Sequence, residues 1–216
     1  MSILKEGYPF IIPPLVTGVA LLVVSCFVKP PAEFSAASIS CIAAGAVLLV
    51  FSLFCMFFFR DPKINITQGE NLILSPCNGT VMEVTEEGDE KIIRVFLSVL
   101  NVHLQRAPVS GTVTGVTHKD GKFYAAWNPK AHIENEQNIF TIKGDDGSVY
   151  TVRQIAGFLA RRCVSWVKPG DVLKAGDKIG MIKFSSQVDL HLPKTAKIDV
   201  KSGDKTKAGI TIMGTK

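Results

Sequence analysis

The chain has 216 residues and a formal net charge of +5. This excess is too small to indicate a nucleic-acid-binding protein, and no basic stripe interleaved with aromatic residues supports one, so we expect no nucleic acid partner. The length allows one ordinary domain with an additional segment, and the mild basic excess suits a surface that faces anionic lipid.

Two uncharged apolar runs, 11–28 and 38–59, lie near the start of the chain. The second is long enough to cross the hydrocarbon core of a bilayer, whereas the first is marginal and contains Pro13-Pro14 near its start. A short connector separates them without a clear signal-peptidase site, which argues against a secretory signal peptide. We predict a membrane-anchoring transmembrane helical hairpin over 1–62. A buried hairpin in a soluble protein is the alternative.

Basic residues flank the hairpin, because Lys5 precedes it and Arg60 and Lys63 follow it. By the positive-inside rule both ends lie in the cytoplasm, although Lys29 in the connector weakens this count. We therefore predict a protein of the cell membrane, with the catalytic part on the cytoplasmic side.

From residue 70 onward, short apolar runs alternate with turns rich in glycine, asparagine and aspartate. Helical periodicity is nearly absent, apart from a turn within 154–162. The pattern predicts a mostly β domain of sandwich or barrel type over 63–216. The runs that are typical of strands are 91–99, 111–117, 138–143, 148–155 and 179–184.

One phrase occurs twice in this region. Residues 76–84 and 108–116 both read P-x-x-G-T-V-x-x-V, in which a proline and a tight-turn glycine precede a strand. A related phrase at 167–177 (VKPGDVLKAGD) is typical of the β-hairpin repeats in lipoyl-like domains. Repeated turn chemistry explains these glycines without any function.

Cysteine and histidine spacing gives no sign of a metal. None of the five cysteines forms a C-x-x-C pair, and His118, His132 and His191 lack metal-ligand spacing with a cysteine or carboxylate cluster. We expect neither a metal site nor a disulfide framework, and a reducing compartment is the simpler inference.

The stretch 183–193 (KFSSQVDLHLP) carries the most informative pattern. Its apolar residues alternate with polar ones and Pro193 ends the run, which predicts a strand with two adjacent serines, Ser185 and Ser186, at its start. Taken alone, such a serine pair is only a polar step at a strand edge.

Four further phrases accompany this stretch. They are 75–79 (SPCNG), 96–108 (FLSVLNVHLQRAP), 122–138, which ends in ENEQN, and 153–162 (RQIAGFLARR). Together with 183–193 they resemble the phosphatidylserine decarboxylase family in its short proenzyme form. That family reads F-G-S-x-V-D-x-x-L-P where this chain reads F-S-S-Q-V-D-L-H-L-P, and it carries F-F-R-D-P at the membrane junction, as at 58–62 here.

The resemblance implies a proenzyme that cuts itself between Ser185 and Ser186. Ser186 then becomes a pyruvoyl cofactor, which forms a Schiff base with the amine of phosphatidylserine, or of a related serine phospholipid, so that carbon dioxide leaves and phosphatidylethanolamine is formed. The two products, 1–185 and 186–216, are expected to stay together as a heterodimer in contact with the membrane. Assembly of several such units stays open.

The resemblance also assigns site residues. His103 belongs to the active site, where it could accept a proton from Ser186 and later protonate the substrate. Asn78 stands where the family has an aspartate that orients the histidine, and Ser185 where it has glycine. Glu136 is a candidate for the missing carboxylate.

Three arginines, Arg153, Arg161 and Arg162, could bind the anionic parts of the substrate, and a solvated basic face is the equally weighted alternative. Two other functions remain open at this point. One is a silent, uncut membrane-bound homologue, which Asn78 and Ser185 favour. The other is a lipoyl-like carrier or adaptor, against which the lack of a Met-Lys-Met hairpin counts.

Overall fold

The computed structural model describes residues 2–27, 36–124, 128, 130–157, 162–183 and 186–216, and for residue 186 only the backbone. The chain separates into two compact units, Met1–Pro62 and Lys63–Lys216. We call the second unit the β domain. The prediction of a mostly β protein with an N-terminal pair of apolar helices is confirmed, with 41% strand against 26% helix.

The first unit is built on two long apolar helices. Both are long and apolar enough to cross a membrane, with mean hydropathies of 2.3 and 2.6. Only 11% and 22% of the two candidate spans are buried, which does not fit a hairpin enclosed in a soluble core. The elements are β1 (Ser2–Ile3), a 3-10 turn (Lys5–Gly7), α1 (Tyr8–Phe27), α2 (Ala36–Phe58) and β2 (Arg60–Asp61).

Small residues let the two helices approach closely. A Cβ atom on Gly18 would lie 3.0 Å from the carbonyl oxygen of Gly45, and one on Gly45 would lie 2.9 Å from that of Gly18. Ser52 Oγ also donates a hydrogen bond of 2.9 Å to the carbonyl oxygen of Ile11. Close backbone contact and an interhelical hydrogen bond are the interactions that hold helices together in lipid.

The β domain contains one large curled, half-barrel sheet and two small ones, all antiparallel within the described residues. The large sheet has the strand order β11-β7-β8-β9-β13-β5-β4-β15. Its strands are β4 (Gly79–Glu87), β5 (Glu90–Leu97), β7 (Gly111–Lys119), β8 (Gln137–Gly144), β9 (Val149–Ala156), β11 (Val172–Leu173), β13 (Ser186–Pro193) and β15 (Lys205–Thr206).

The two small sheets have the orders β10-β12-β6 and β14-β16-β3. Their strands are β3 (Leu72–Leu74), β6 (Leu104–Arg106), β10 (Arg162–Ser165), β12 (Lys178–Lys183), β14 (Lys197–Ile198) and β16 (Ile212–Thr215). One helical turn, α3 (Ala131–Glu134), lies between β7 and β8. Four residues are too few for helical periodicity, so the sequence did not indicate it.

The strands that the sequence indicated are present with ends shifted by one or two residues. The turn expected within 154–162 differs, because 154–156 belong to β9 and Arg162 begins β10, while 158–161 lie outside the described residues. Alternation along β13 works as predicted: Val188, Leu190 and Leu192 are buried in the hydrophobic core.

The repeated phrase is a structural repeat. β4 and β7 both begin at the repeat's glycine, and the pairing register of each shifts at the same place, between Val81 and Glu83 and between Val113 and Gly115. Such a shift marks a β-bulge, which bends a strand and helps a sheet to curl.

Each of the two repeat strands is hydrogen-bonded to a turn from a later part of the chain, and the two turns are of the same type. Val113 N–H donates to Asp171 O, and Val81 N–H donates to Asp204 O, both at 2.9 Å. The phrase at 167–177 therefore has a second copy at 200–210 (VKSGDKTKAGI), which the sequence analysis did not find. The domain therefore contains a strand-and-turn unit twice, in which the strand after Pro76 is closed by the turn at 200–210 and the strand after Pro108 by the turn at 167–177.

Polar contacts of two buried side chains, Asp189 and His191, hold β13 to its neighbour β5. Asp189 lies opposite Arg94, with Oδ2 at 3.5 Å from Nε, and Arg94 also contacts Glu83 and Glu87 at 2.7 Å. His191 Nδ1 lies 2.7 Å from Glu90 Oε2. Both contacts join residues before 185 to residues after 186.

We expect Gly111→Ala to destabilise the β domain by about 2–3 kcal/mol, because overpacking of this kind is seldom relieved. The new Cβ would clash with the carbonyl oxygen of Lys143. Gly115→Ala, four residues along the same strand, is the matched control, since its nearest atom would be 3.6 Å away. Urea unfolding measures both variants. Equal stability of the two variants would contradict this packing.

Burial lowers the pKa of His191, although the hydrogen bond with Glu90 opposes the shift. As pH falls below about 6.5, the unfolded chain therefore binds a proton that the folded chain resists, so stability falls towards the folded pKa. We expect His191→Gln to show a smaller loss of stability than the parent between pH 7.5 and 5.5 in urea unfolding. Parallel curves would show that His191 does not contribute.

Candidate active site

The serine pair lies where the chain crosses from one sheet to another. β12 ends at Lys183 in a small sheet, and β13 begins at Ser186 in the large sheet. Phe184 and Ser185, which make the crossing, lie outside the described residues. The peptide bond between 185 and 186 therefore lies at the start of a strand. Both flanking strands, β12 and β13, are paired with neighbouring strands on each side.

Ser186 occupies a central position in the large sheet. Its Cα pairs with that of Leu97 on β5 and with that of Ala156 on β9. The start of β13 is thus enclosed between two neighbours, and residue 186 can shift little along the sheet.

His103 lies on the turn that connects β5 to β6. This turn starts after Leu97, which pairs with Ser186, and ends at Leu104, which pairs with Met181. His103 O accepts a hydrogen bond of 3.1 Å from Ile182 N–H. The turn therefore connects β5, a neighbour of β13, to β6, a neighbour of β12, and it brings His103 to the end of the large sheet where β13 begins.

The imidazole of His103 is 1% exposed, and its Nδ1 lies 3.0 Å from the carbonyl oxygen of Asn101. Because a carbonyl can only accept, Nδ1 carries the proton and Nε2 is the basic nitrogen of the neutral ring. Asn101 itself is fixed by reciprocal hydrogen bonds with the backbone of Ser98, both of 2.9 Å. The backbone carbonyl of Asn101 thus orients the imidazole ring, as a carboxylate does for the histidine of many other active sites.

Asn78 has a structural contact that the sequence did not indicate. Its Oδ1 accepts a hydrogen bond of 2.9 Å from Ala208 N–H. The equivalent residue of the other repeat is Ser110, whose Oγ accepts from Ala175 N–H at 2.9 Å. Asn78 therefore caps one of two related K-A-G turns. A role for it behind His103 stays a prediction.

Glu136 contacts the end of β9 and the start of β10. Its Oε1 accepts from Cys163 N–H at 3.1 Å, and its carbonyl oxygen accepts from Ala156 N–H at 2.9 Å. Burial, followed by the charge of Glu136, raises the pKa of Cys163 to about 12. That thiol stays protonated at neutral pH and is not a nucleophile there.

Buried amides near His103 were missed by the sequence analysis. Gln105 Nε2 donates to His103 O at 2.9 Å, and Gln154 Nε2 donates to Gln105 Oε1 at 2.7 Å. Asn138 Nδ2 donates in turn to Gln154 Oε1 at 3.0 Å. Gln154 alternates with the core residues Val152 and Ala156 along β9. A glutamine at a core-facing strand position was therefore the sequence signal that could have indicated a buried amide network.

The three arginines occupy different places. Arg153 on β9 is the cross-strand neighbour of Asp189 and lies three residues before Ala156. Arg162 is exposed and pairs with Lys183, next to the crossing. Arg161 lies outside the described residues. Among the described residues, no three His, Cys, Asp or Glu side chains converge as metal ligands would.

The chain is similar to known proteins over most of its length. The family model of phosphatidylserine decarboxylase matches residues 51–214. A phosphatidylserine decarboxylase proenzyme from Carboxydothermus hydrogenoformans is 43% identical over 79% of this chain and 83% of its own. One from Syntrophus aciditrophicus is 37% identical over 99% of this chain and 97% of its own.

A third proenzyme, from Magnetococcus marinus, is 36% identical over 97% of this chain and 93% of its own. The match extends over nearly the whole length of both chains, so it includes the helical pair as well as the β domain. The chain belongs to the phosphatidylserine decarboxylase family.

Proposed function

We propose that the chain is a proenzyme that cuts itself between Ser185 and Ser186, and then decarboxylates phosphatidylserine or a related serine phospholipid to the ethanolamine lipid. The observation that carries the proposal is the shared location of Ser186 and His103. Ser186 begins a central strand at a two-residue crossing, and the turn that holds His103 connects the neighbours of that crossing.

Self-cleavage needs a nucleophile, a base and a fixed peptide. Ser186 Oγ attacks the carbonyl carbon of Ser185, the C–N bond breaks, and an ester joins the two chains. Elimination frees the carboxylate of residue 185 and leaves dehydroalanine at 186, which water converts to pyruvoyl with release of ammonia. His103 Nε2 is the proposed acceptor of the Ser186 proton, because Asn101 O holds the other nitrogen protonated.

The pyruvoyl group supplies the electrophilic carbonyl that condenses with the substrate amine and draws off electrons as carbon dioxide leaves. His103 is the proposed donor of a proton to the substrate carbon. It is 1% exposed, so bulk water does not compete freely for that proton. Arg153, Arg161 and Arg162 remain the candidates for binding the anionic headgroup.

After cleavage, 186–216 is expected to stay bound to 1–185. The strand Ser186–Pro193 pairs with β5 along its whole length and with β9 from Ser186 to His191. β15 and β16 add further pairing with β4 and β3. Removing the short chain would break the large sheet at its centre, so the proposed product is a stable heterodimer.

The proposed place of action is the cytoplasmic face of the cell membrane. The two apolar helices are compatible with membrane association, and Lys5, Arg60 and Lys63 favour cytoplasmic ends. In this proposal residues 1–62 anchor the protein and residues 63–216 form the catalytic domain, which meets its lipid substrate at the bilayer.

We expect Ser186→Ala to abolish both cleavage and decarboxylation, because no other atom can become the cofactor carbonyl. Ser185→Ala is the matched control and should still be cut, since residue 185 supplies only a carbonyl. Ser185→Gly should be cut faster than the parent, because glycine adopts more backbone conformations. Denaturing gels over time and carbon dioxide release are the measurements. Cleavage in Ser186→Ala would overturn the assignment.

We expect His103→Ala to slow cleavage about 100-fold or more, as removal of a general base does. Asn78→Asp should speed cleavage several-fold. The carboxylate can still accept from Ala208 N–H, and it adds a negative charge at this end of the sheet. Asn78→Ser, which copies Ser110, is the control and should leave the rate unchanged. Normal cleavage and activity in His103→Ala would disprove the relay.

A further inference from the structure

Two like charges face each other beside the crossing. Arg162 and Lys183 are direct cross-strand partners at the ends of β10 and β12, so their side chains leave the same face of the sheet. Arg162 is exposed and Lys183 is partly buried. Lys183 is three residues before Ser186, so two cationic side chains lie on one face of the small sheet beside the proposed reaction centre.

We propose that Arg162 and Lys183 form the subsite for the phosphodiester of the lipid headgroup. The inference rests on the proposed function, because residue 186 must be the point at which the substrate amine reacts. The Cα atom of Lys183 lies at most about 11 Å from that of Ser186, since three trans peptide links separate them. The long side chain of Lys183 can cover much of that distance.

The chemistry of the substrate favours the phosphodiester over the carboxylate as the group bound here. Cations held on the carboxylate would stabilise the ground state that must lose carbon dioxide, and would raise the barrier. The phosphodiester keeps its charge throughout the reaction, so binding it lowers KM without slowing the chemistry. The planar fork of Arg162 matches two phosphate oxygens, and Lys183 adds a point charge.

Two features next to Arg162 bear on its role: a carboxylate that is bonded to the neighbouring backbone, and the position of β10 at the edge of a sheet. Glu136 Oε1 accepts from the backbone N–H of Cys163, the residue after Arg162. The competing role of Arg162 is protection of an edge strand, because β10 is at the edge of its sheet among the described residues. Any charge would serve that role, whereas phosphate binding requires a positive one.

Arg162→Glu separates these roles, because it keeps a charge on the edge and reverses its sign. In the full-length protein we expect unchanged self-cleavage and an unfolding temperature no lower than that of the parent, since the new carboxylate would attract Lys183. We expect about a tenfold rise in KM for phosphatidylserine in mixed micelles with little change in kcat. Lys183→Gln should raise KM in the same direction.

Lys168→Glu and Lys201→Glu are the matched controls, because they reverse exposed charges on the two repeat turns. The same KM measurement is repeated with glycerophosphoserine in solution, because this substrate has the headgroup but forms no charged lipid surface. The KM rise in Arg162→Glu should persist with it. A rise seen only with micelles, or shared by the controls, would show general attraction to a lipid surface and would overturn the subsite.

Calorimetric binding of glycerophosphoethanolamine to the full-length protein gives a readout that needs no turnover. Arg162→Glu should weaken this binding about tenfold. If the parent binds it and Arg162→Glu does not, but neither is cut, the decarboxylase proposal fails and the phosphodiester site stands. If the parent is cut and active and Arg162→Glu binds equally well, the subsite is wrong and the proposed function stands.

Discussion

The backbone hydrogen bonds on either side of residues 184–185 are the constraint on which the site depends. β12 is paired to β10 and β6, and β13 is paired to β9 and β5, so both ends of the crossing are fixed in separate sheets. The chain cannot lengthen the crossing without breaking one of these ladders. In the proposed mechanism the pairing of β13 with β5 and β9 fixes the backbone of Ser186 before cleavage and keeps the two products together afterwards.

The candidate site lies within a scaffold that repeats one structural unit. Two related halves supply the same strand, bulge and turn, and each is closed by a turn from a distant part of the chain. The side chains of Asn78 and Ser110 accept equivalent hydrogen bonds from the backbone of these two turns. His103 and its turn lie between the two copies of the phrase. Ser186 and His103 therefore both lie outside the repeated phrases.

Local patterns predicted the strands and the serine-bearing stretch, because alternation and turn residues act over a few positions. They could not show that β12 and β13 lie in different sheets, since that depends on pairing across the whole domain. The contact of Asn78 with Ala208 joins residues 130 positions apart, so no local pattern contains it. The tautomer of His103 depends on Asn101, only two residues away, and a careful analysis of the turn could have suggested it.

The most direct test is intact mass spectrometry of the freshly purified full-length protein under denaturing and native conditions. The account predicts two chains under denaturing conditions, 1–185 and 186–216, the second with a pyruvoyl group that reacts with a hydrazide probe. Under native conditions it predicts one complex that contains both. A single uncut chain that persists through long incubation and stays unreactive to the probe would contradict the account.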